Sequence, residues 1–242
     1  MTKTICFDFG NTRLKAALFE ADKYAREFVL DNDDVSAIDK ILTENNPQKT
    51  ILSSVIEHNV EIEKLLASKT RFHKVSHLTK ANFTTPASKP ETIGADRLAL
   101  CAAAAHFYPG MNNLVIALGS CITYNFLNQY GQFLGGSISP GMEMRFKAMQ
   151  HFTAKLPLVQ KDWNFPLIGY DTRTNMQSGV IAGITYEIDG FIDAYAAKYG
   201  NFNAVLTGGD TGYFAGQLKN KIFADYNFLF KGLYALSETN NG

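Results

Sequence analysis

Residues 8–12 have the types and spacing to bind a phosphate group. They read Asp-Phe-Gly-Asn-Thr and follow a short β-rich run that begins at Thr4. An aspartate near the end of a buried strand can hold Mg²⁺, directly or through water. The glycine permits a tight turn, and the backbone N–H groups and the Asn11 and Thr12 side chains can face phosphate oxygens. Taken alone, the segment favours an ordinary Asx-type hairpin turn over a phosphate site.

Two later glycine turns offer similar chemistry. Residues 119–123 read Gly-Ser-Cys-Ile-Thr and provide small side chains, hydroxyls and backbone donors. Residues 206–210 read Leu-Thr-Gly-Gly-Asp, and a surface without side chains there would admit an adenine or a ribose. Three such turns in this order favour nucleotide binding more than any one does. The residues predicted to bind a nucleotide and its phosphates are Asp8, Gly10, Asn11, Thr12, Lys15, Gly119, Ser120, Thr207, Gly208 and Gly209.

A predicted helix start at Gly94 carries an acidic and a basic residue side by side. One alanine follows the glycine, and Asp96 and Arg97 come next. A structural role alone would explain this aspartate, because an acidic residue at a helix start can cap the helix and its negative charge is favourable in the first turn. The functional alternative is a general base, Asp96, beside an arginine that binds a carboxylate with two N–H groups.

The elements that must position these turns follow an α/β pattern that occurs twice. A βββ opening with a glycine turn between its first two strands begins near residue 4 and again near residue 113. This repetition predicts two similar α/β lobes, 1–112 and 113–242, with a cleft between them. The predicted strands cover 4–10, 14–20, 25–30, 50–55, 113–119, 122–127, 132–138, 204–207 and 228–230. The predicted helices cover 35–45, 60–68, 97–106, 143–152, 175–199, 214–219 and 232–238.

Composition excludes several classes of protein. The 23 Lys and Arg residues balance the 23 Asp and Glu residues, which argues against a nucleic-acid binder. The 46% hydrophobic content is too high for a disordered chain. Asp8 interrupts the first apolar stretch, so no signal peptide is expected, and the apolar region 114–126 is shorter than the ~20 residues that a membrane helix needs. We therefore expect a cytoplasmic protein without a membrane partner.

Taken together and in order, the motifs resemble those of the type III pantothenate kinases, members of the acetate and sugar kinase/heat-shock/actin superfamily. The resemblance covers nearly the whole chain, and the Gly-Ala-Asp-Arg segment reproduces the family's Gly-x-Asp-Arg motif in full. The other matching segments are 8–12, 135–141 (Gly-Gly-Ser-Ile-Ser-Pro-Gly), 153–157 (Thr-Ala-Lys-Leu-Pro), 168–172 (Ile-Gly-Tyr-Asp-Thr) and 207–210 (Thr-Gly-Gly-Asp).

This resemblance implies an α/β fold of duplicated ribonuclease H-like, actin-like lobes with the active site in the cleft between them. It also implies a homodimer that transfers the γ-phosphoryl group of ATP to pantothenate, the first step of coenzyme A synthesis. Asp96 would be the general base, Arg97 would bind the substrate carboxylate, and Gly94 of the same motif would also belong to the substrate-binding site. Asp8 would act through Mg²⁺, and Thr172 would bind pantothenate in the partner subunit's site.

Two departures from the family pattern have consequences. The second phosphate motif usually reads Asp-x-Gly-Thr-Ala, but residues 117–121 read Ala-Leu-Gly-Ser-Cys. Ala117 thus replaces a carboxylate that helps to bind a monovalent cation, K⁺ or NH₄⁺. We expect weak or absent K⁺ activation, or a cation held by other oxygens. Ala87 stands where the family often has a tyrosine, which would alter one wall of the substrate pocket.

Two alternatives to a pantothenate kinase follow from these residues. A degenerate family member would bind nucleotide or pantothenate without turnover, or act as a regulatory protein, and the change at Ala117 supports it. A kinase of the same superfamily with another acceptor, a sugar or acetate, is the second. Such kinases usually carry larger lobes with long insertions, for which 242 residues leave little room.

Overall fold

The computed structural model describes residues 2–86, 88–200 and 202–241, so the predicted change at Ala87 lies outside the described residues. The strands are β1 Lys3–Phe9, β2 Leu14–Glu20, β3 Lys23–Leu30, β4 Lys49–Ser54, β5 Arg71–Lys74, β6 Asn112–Leu118, β7 Cys121–Leu127, β8 Phe133–Pro140, β9 Phe202–Thr207 and β10 Phe223–Ala224. The helices are α1 Val35–Asn45, α2 Glu61–Lys69, α3 Ala95–Phe107, α4 Met142–His151, α5 Thr172–Gln177, α6 Gly183–Tyr199, α7 Thr211–Phe214 and α8 Phe228–Asn240. Pro90–Thr92 forms a 3₁₀ turn and Ser178–Ala182 a π-helical turn.

The two sheets have the same strand order. The first is ordered β3-β2-β1-β4-β5, and the second, read in the same direction, is β8-β7-β6-β9-β10. In each sheet the first strand of the set pairs in parallel with the fourth, β1 with β4 and β6 with β9. This equivalence confirms the predicted architectural repeat of a βββ opening followed by parallel strands.

Contacts divide the chain into two compact units. The first unit comprises Met1–Gly110, Leu127–Gly135 and Asn227–Gly242, and the second comprises Met111–Phe126 and Gly136–Tyr226. The sequence predicts a single division after residue 112, whereas the structure groups two later segments with the first unit. One of them contains α8, whose apolar side chains pack with those of α3 in a shared core.

In the first unit, alternate residues of β1 pack on opposite faces of the sheet. Ile5, Phe7 and Phe9 join a core with α1 and α2, whereas Cys6 joins a second core with α3 and α8. This alternation is the period-two geometry of a strand, and burial on both faces explains why the segment reads as an almost continuous apolar run. The strand that carries Asp8 is therefore covered on both sides.

Residues 228–230, predicted as a strand, form the first turn of α8 instead, so that prediction is wrong. Phe228 and Phe230 are buried, and the apolar pattern continues through Leu233 and Leu236 at helical spacing. A run of three apolar residues cannot by itself distinguish a strand from the start of a buried helix. Whether such a segment is a strand or a helix depends on the element that covers it, and here α8 packs against α3.

Gly232 in α8 lies so close to α3 that no side chain fits. A Cβ at this position would be 1.9 Å from the carbonyl oxygen of Ala99. We expect Gly232→Ala to lower the free energy of unfolding by about 1–3 kcal/mol, because the two helices must move apart. Gly190→Ala in α6 is the matched control, since nothing lies within 4 Å of its Cβ. It should raise that free energy by about 0.5–1 kcal/mol in urea titrations, and a Gly232→Ala protein as stable as wild type would contradict the close contact.

In the second unit, the long helix predicted over 175–199 is a continuous helical stretch from Thr172 to Tyr199 with the π-helical turn inside it. The helix predicted over 214–219 is wrong. Helix α7 ends at Phe214, and the backbone N–H groups of Lys219 and Asn220 donate to the carboxylate of Asp189, each at 3.1 Å. These N–H groups bond to a side chain instead of to helix carbonyls, so the helix does not form there.

The two shortest strands, β5 and β10, have too few residues to show a period in the sequence. Each lies at the edge of its sheet and pairs in parallel with one neighbour, β5 with β4 and β10 with β9. Among the described residues, none of the helices has both the length and the apolar character to cross a membrane.

Candidate active site

Asp8 is the last residue but one of β1 and has a polar neighbour on each side. β2 places Lys15 directly opposite it, and β4 places Ser53 opposite it. The Ser53 hydroxyl donates to Asp8 Oδ1 over 3.3 Å. Lys15 Nζ pairs with Glu27 Oε1 at 2.8 Å, so this ammonium group would be shared with Glu27 if it also bound a phosphate.

The turn after β1 is closed by a short backbone contact. The N–H of Gly10 donates to the carbonyl oxygen of Arg13 at 3.1 Å. A Cβ on Gly10 would approach the same oxygen to 3.3 Å, which is a tight contact. Asn11 and Thr12 lie exposed between these two residues. Their side chains are therefore placed on the surface directly after the strand that carries Asp8.

Asp96 folds back over the start of α3. Gly94 is the N-cap residue, and a Cβ there would lie 2.5 Å from Asp96 Oδ1, so the glycine leaves room for the carboxylate. Burial raises the pKa of Asp96, and hydrogen bonding from the backbone N–H of Arg97 together with the Arg97 charge partly offsets that rise. A raised pKa makes a carboxylate a stronger proton acceptor than an ordinary aspartate.

The structure brings the charges of Asp8 and Asp96 close enough to affect each other. Burial and, to a smaller extent, the negative charge of Asp96 raise the pKa of Asp8 to about 7. The Ser53 hydrogen bond and the Lys15 charge act in the opposite direction. Each of these two half-buried carboxylates makes ionisation of the other less favourable. A cation or a proton is therefore stabilised at this site.

Arg97 follows Asp96 in the first turn of α3 and packs on an aromatic ring. Its guanidinium carbon lies 5.4 Å from the centroid of the Phe133 ring. A guanidinium group is attracted to the face of an aromatic ring, which restricts its orientation. Phe133 thus belongs to this site, although the sequence offers no spacing that links it to Arg97.

In the second unit, the turn between β6 and β7 is packed tightly against the residue that precedes α4. Gly119 N–H donates to the Cys121 carbonyl at 3.0 Å and forms the turn, and Gly141 N–H donates to the Ser120 carbonyl at 3.0 Å. A Cβ at Gly141 would be 2.1 Å from the Gly119 carbonyl oxygen. The glycine of the 135–141 motif is therefore required by its contact with the predicted phosphate turn.

The third glycine turn contacts the other side of the same hairpin. Thr207 ends β9 opposite Ala117, and Gly208 has a φ of +98°. A Cβ at Gly208 would be 2.4 Å from the Leu118 carbonyl, which also accepts the Asp210 N–H at 3.2 Å. The second unit thus brings the predicted phosphate turn and the predicted adenosine turn, including the exposed Gly209, into direct contact.

Thr172 and Ala117 are the two remaining predicted positions of the second unit. Thr172 is the exposed first residue of α5, and Asp171 before it accepts the Thr174 N–H at 2.7 Å in a capping box. Ala117 lies half-buried in β6 and offers a methyl group instead of a carboxylate. In the part of the chain that the structure describes, no group of three or more His, Cys, Asp or Glu side chains is placed to hold a metal ion.

Three residues that contribute to the candidate site were not predicted from the sequence. Ser53 and Phe133 reach Asp8 and Arg97 through strand pairing and packing between distant segments, and no local pattern reveals that. Gly141 is different, because it belongs to the 135–141 motif. A glycine in such a motif can mark a place where two backbone segments approach closely.

Comparison with known proteins supports the motif-based assignment. A family model described as type III pantothenate kinase matches residues 4–194. The type III pantothenate kinase of Flavobacterium johnsoniae is 40% identical over 229 residues, which cover 93% of each chain.

Solved structures confirm the predicted fold class. A Campylobacter jejuni structure, described as a conserved Baf family transcriptional activator, has a TM-score of 0.61 and 25% identity and covers 98% of each chain. A glucokinase from an Antarctic psychrotroph has a TM-score of 0.55 and covers 99% of each chain at 11% identity, which indicates the actin-like fold alone. With its family model and its 40% identical relative, the chain belongs to the type III pantothenate kinase family.

Proposed function

We propose that this protein phosphorylates pantothenate with ATP to give 4′-phosphopantothenate, the first step of coenzyme A biosynthesis. The observation that carries this proposal is the start of α3. There a carboxylate with a raised pKa, Asp96, adjoins Arg97 and interacts electrostatically with Asp8. These are the groups that phosphoryl transfer to an alcohol requires: a proton acceptor, an anchor for an anionic acceptor and a site for a cation.

In this proposal Asp96 accepts the proton of the primary hydroxyl of pantothenate. The hydroxyl oxygen then forms a bond to the γ-phosphorus, and the bond between that phosphorus and the bridging oxygen breaks with its electron pair on ADP. Arg97 binds the pantothenate carboxylate, and its stacking on Phe133 holds the guanidinium in one orientation. Gly94 contributes by leaving space for the Asp96 carboxylate.

The residues around Asp8 fit a magnesium ion. Its carboxylate is half-buried and has a pKa raised by burial and by Asp96, so a nearby cation would relieve both effects. Mg²⁺ is commonly held by one or two carboxylates together with substrate phosphates, which agrees with the small number of acidic groups here. When bound, Mg²⁺ would neutralise charge on the transferring phosphates.

The glycine turns supply the proposed nucleotide contacts. Gly10, Asn11 and Thr12 follow Asp8, and Gly119 and Ser120 form the corresponding turn of the second unit. Lys15 would add a positive charge shared with Glu27. Thr207, Gly208 and Gly209 would receive the adenosine, because the positive φ of Gly208 and its contact with Leu118 leave backbone instead of side chains at the surface.

Thr172 would bind pantothenate in the site of the partner subunit of a homodimer. Its exposure at the first turn of α5 and the capping box formed by Asp171 and Thr174 give it a defined position. Nucleic acid and membrane are not expected as partners, and the enzyme would act in the cytoplasm.

The test is an assay of purified protein with ATP, Mg²⁺ and pantothenate, in which the product is identified by its mass. Glucose and acetate replace pantothenate in parallel reactions as controls for another acceptor. Phosphopantothenate formation supports the proposal. No product in any concentration of K⁺ or NH₄⁺ would contradict it, and ATP binding without turnover would then favour the degenerate family member.

Ala117 leads to a prediction about monovalent cations. A methyl group provides no oxygen ligand, so the residue at this position does not fit K⁺ or NH₄⁺. We expect that replacing K⁺ by a large organic cation lowers turnover by less than about twofold, measured at saturating ATP and pantothenate. Strong, saturable activation by K⁺ would contradict this prediction and would point to a cation held by other oxygens.

A further inference from the structure

Glu187, in helix α6, is bonded by three other elements of the second unit. Tyr124 of β7 donates its hydroxyl to Glu187 Oε1 at 2.9 Å, and Ser139 of β8 donates to the same oxygen at 2.5 Å. Arg145 of α4 forms an ion pair with Oε2. We name these four residues the Glu187 cluster. The Glu187 and Arg145 side chains are 21% and 22% exposed, so most of each lies away from solvent.

The cluster is electrostatically satisfied. Burial alone would raise the pKa of Glu187, but hydrogen bonds from Arg145, Ser139 and Tyr124 more than compensate, and its pKa is lowered. Bonds to a charged acceptor of this kind are stronger than neutral ones. Removing the charge would leave three donors, of which the Tyr124 hydroxyl belongs to a buried residue, with a weaker acceptor, so the four elements would lose their common anchor.

The cluster is connected to the predicted phosphate turn by two successive backbone contacts. Arg145 Nε donates to the Pro140 carbonyl at 2.8 Å. The next residue, Gly141, donates its N–H to the Ser120 carbonyl at 3.0 Å. A Cβ at Gly141 would lie 2.1 Å from the Gly119 carbonyl oxygen, so the two backbone segments are packed tightly against each other. A displacement of residues 139–141 must therefore displace the turn.

We propose that Glu187 is a positioning residue for ATP: it holds residues 139–141, and these hold the Gly119–Ser120 turn in the orientation that binds phosphate. The inference rests on the proposed function, because it takes this turn as a phosphate-binding element. Hydrogen bonds weaken steeply when donors are misaligned. Loss of the anchor would therefore weaken ATP binding, although no residue of the turn is changed.

Glu187→Gln tests the proposal, since it keeps the side-chain shape and removes the charge. We expect the KM for ATP to rise about tenfold, with the KM for pantothenate within about twofold of wild type. Arg145→Lys keeps a positive charge but loses the planar guanidinium that contacts Glu187 and Pro140 together, so a smaller rise of about threefold is expected. A merely structural role would not separate the two KM values.

Asp193→Asn is the matched control. Asp193 lies on the same helix, but its carboxylate pairs with the exposed Lys219 at 2.7 Å, and both KM values should stay at the wild-type level. Calorimetric titration with Mg-ATP in the absence of an acceptor should give the same ranking of affinities. That ranking remains measurable if pantothenate is not the acceptor, so failure of the proposed function and failure of this inference are distinguishable.

Two results would overturn the positioning role. One is a Glu187→Gln protein that binds ATP as tightly as wild type. The other is a parallel rise of both KM values with a lowered unfolding temperature. If Glu187→Gln does not fold, Ser139→Ala removes a hydroxyl that donates to Glu187 and accepts from Arg145 at 3.4 Å, and we expect it to weaken ATP binding about two- to threefold. Unchanged ATP affinity in a folded Ser139→Ala protein would likewise refute the proposal.

Discussion

Replacing Asp96 by asparagine should lower turnover by about 10²–10⁴-fold, the usual contribution of a general base, while the fold and ATP affinity stay close to wild type. The asparagine oxygen can still accept the backbone N–H of Arg97, so the start of α3 is preserved. It cannot take up the proton of the pantothenate hydroxyl at neutral pH. Steady-state kinetics, circular dichroism and a Mg-ATP titration together measure these three properties.

Asp34→Asn is the matched control for this prediction. Asp34 is also an aspartate at a helix start in the first unit, where it accepts the Ser36 N–H at 3.0 Å and caps α1. Asparagine caps helices about as well, so turnover should not change. If Asp96→Asn instead keeps most of its rate, Asp96 is not the proton acceptor. If both variants lose activity equally, the loss reflects a general effect of removing a carboxylate at a helix start and not proton transfer.

Helix α1 and the hairpin of β1 and β2 are predictable because their sequence signals are local. Helix α1 was predicted at its observed bounds, Val35–Asn45, from apolar residues at helical spacing. The hairpin of β1 and β2 followed from two β-rich runs on either side of a glycine turn. Residues 228–230 could not be assigned in this way, because the side of α3 that covers them is more than 100 residues away in sequence.

The candidate site shows the same division between local and distant information. Asp96 and Gly94 were identified by spacing, and the structure explains the spacing, since the glycine at 94 makes room for the carboxylate. The raised pKa of Asp8 was not predictable, because it depends on burial and on Asp96, which is 88 residues later in the chain. The Glu187 cluster was also missed, since its four members come from four separate elements.

The positions of the charges explain how a chain with no net charge can bind anions. The negative charges of Asp8 and Asp96 lie close together and favour a cation between them. Arg97 supplies a fixed positive charge next to Asp96. In the proposed site the glycine turns would contribute backbone N–H groups, which carry no formal charge. In the proposed site, affinity for ATP and for a carboxylate substrate would therefore depend on a few placed groups, whereas the balance of 23 basic and 23 acidic residues argues only against a general polyanion binder.

Asp8→Asn should lower turnover by about 10²–10³-fold and yet stabilise the metal-free protein at pH 8. The pKa of Asp8 is about 7 in the folded protein against 3.8 as the ordinary value, so between these values the folded state holds one more proton than the unfolded state. The free energy of unfolding contributed by this proton is complete below about pH 4 and is lost as the pH rises through about 7. Asparagine carries no such proton, so this loss disappears.

Urea unfolding of both proteins at pH 5 and pH 8, in buffer without divalent ions, measures this effect. Because Asp8 is only half-buried, we expect wild type to lose about 1–3 kcal/mol more than Asp8→Asn over that range. Ser53→Ala is the control, since it keeps the carboxylate but removes the hydrogen bond that lowers its pKa. It should move the fall in stability to higher pH and retain much of the activity. Equal pH profiles for wild type and Asp8→Asn would mean that Asp8 is already ionised in the folded protein, and the case for a cation at this aspartate would lose its electrostatic support.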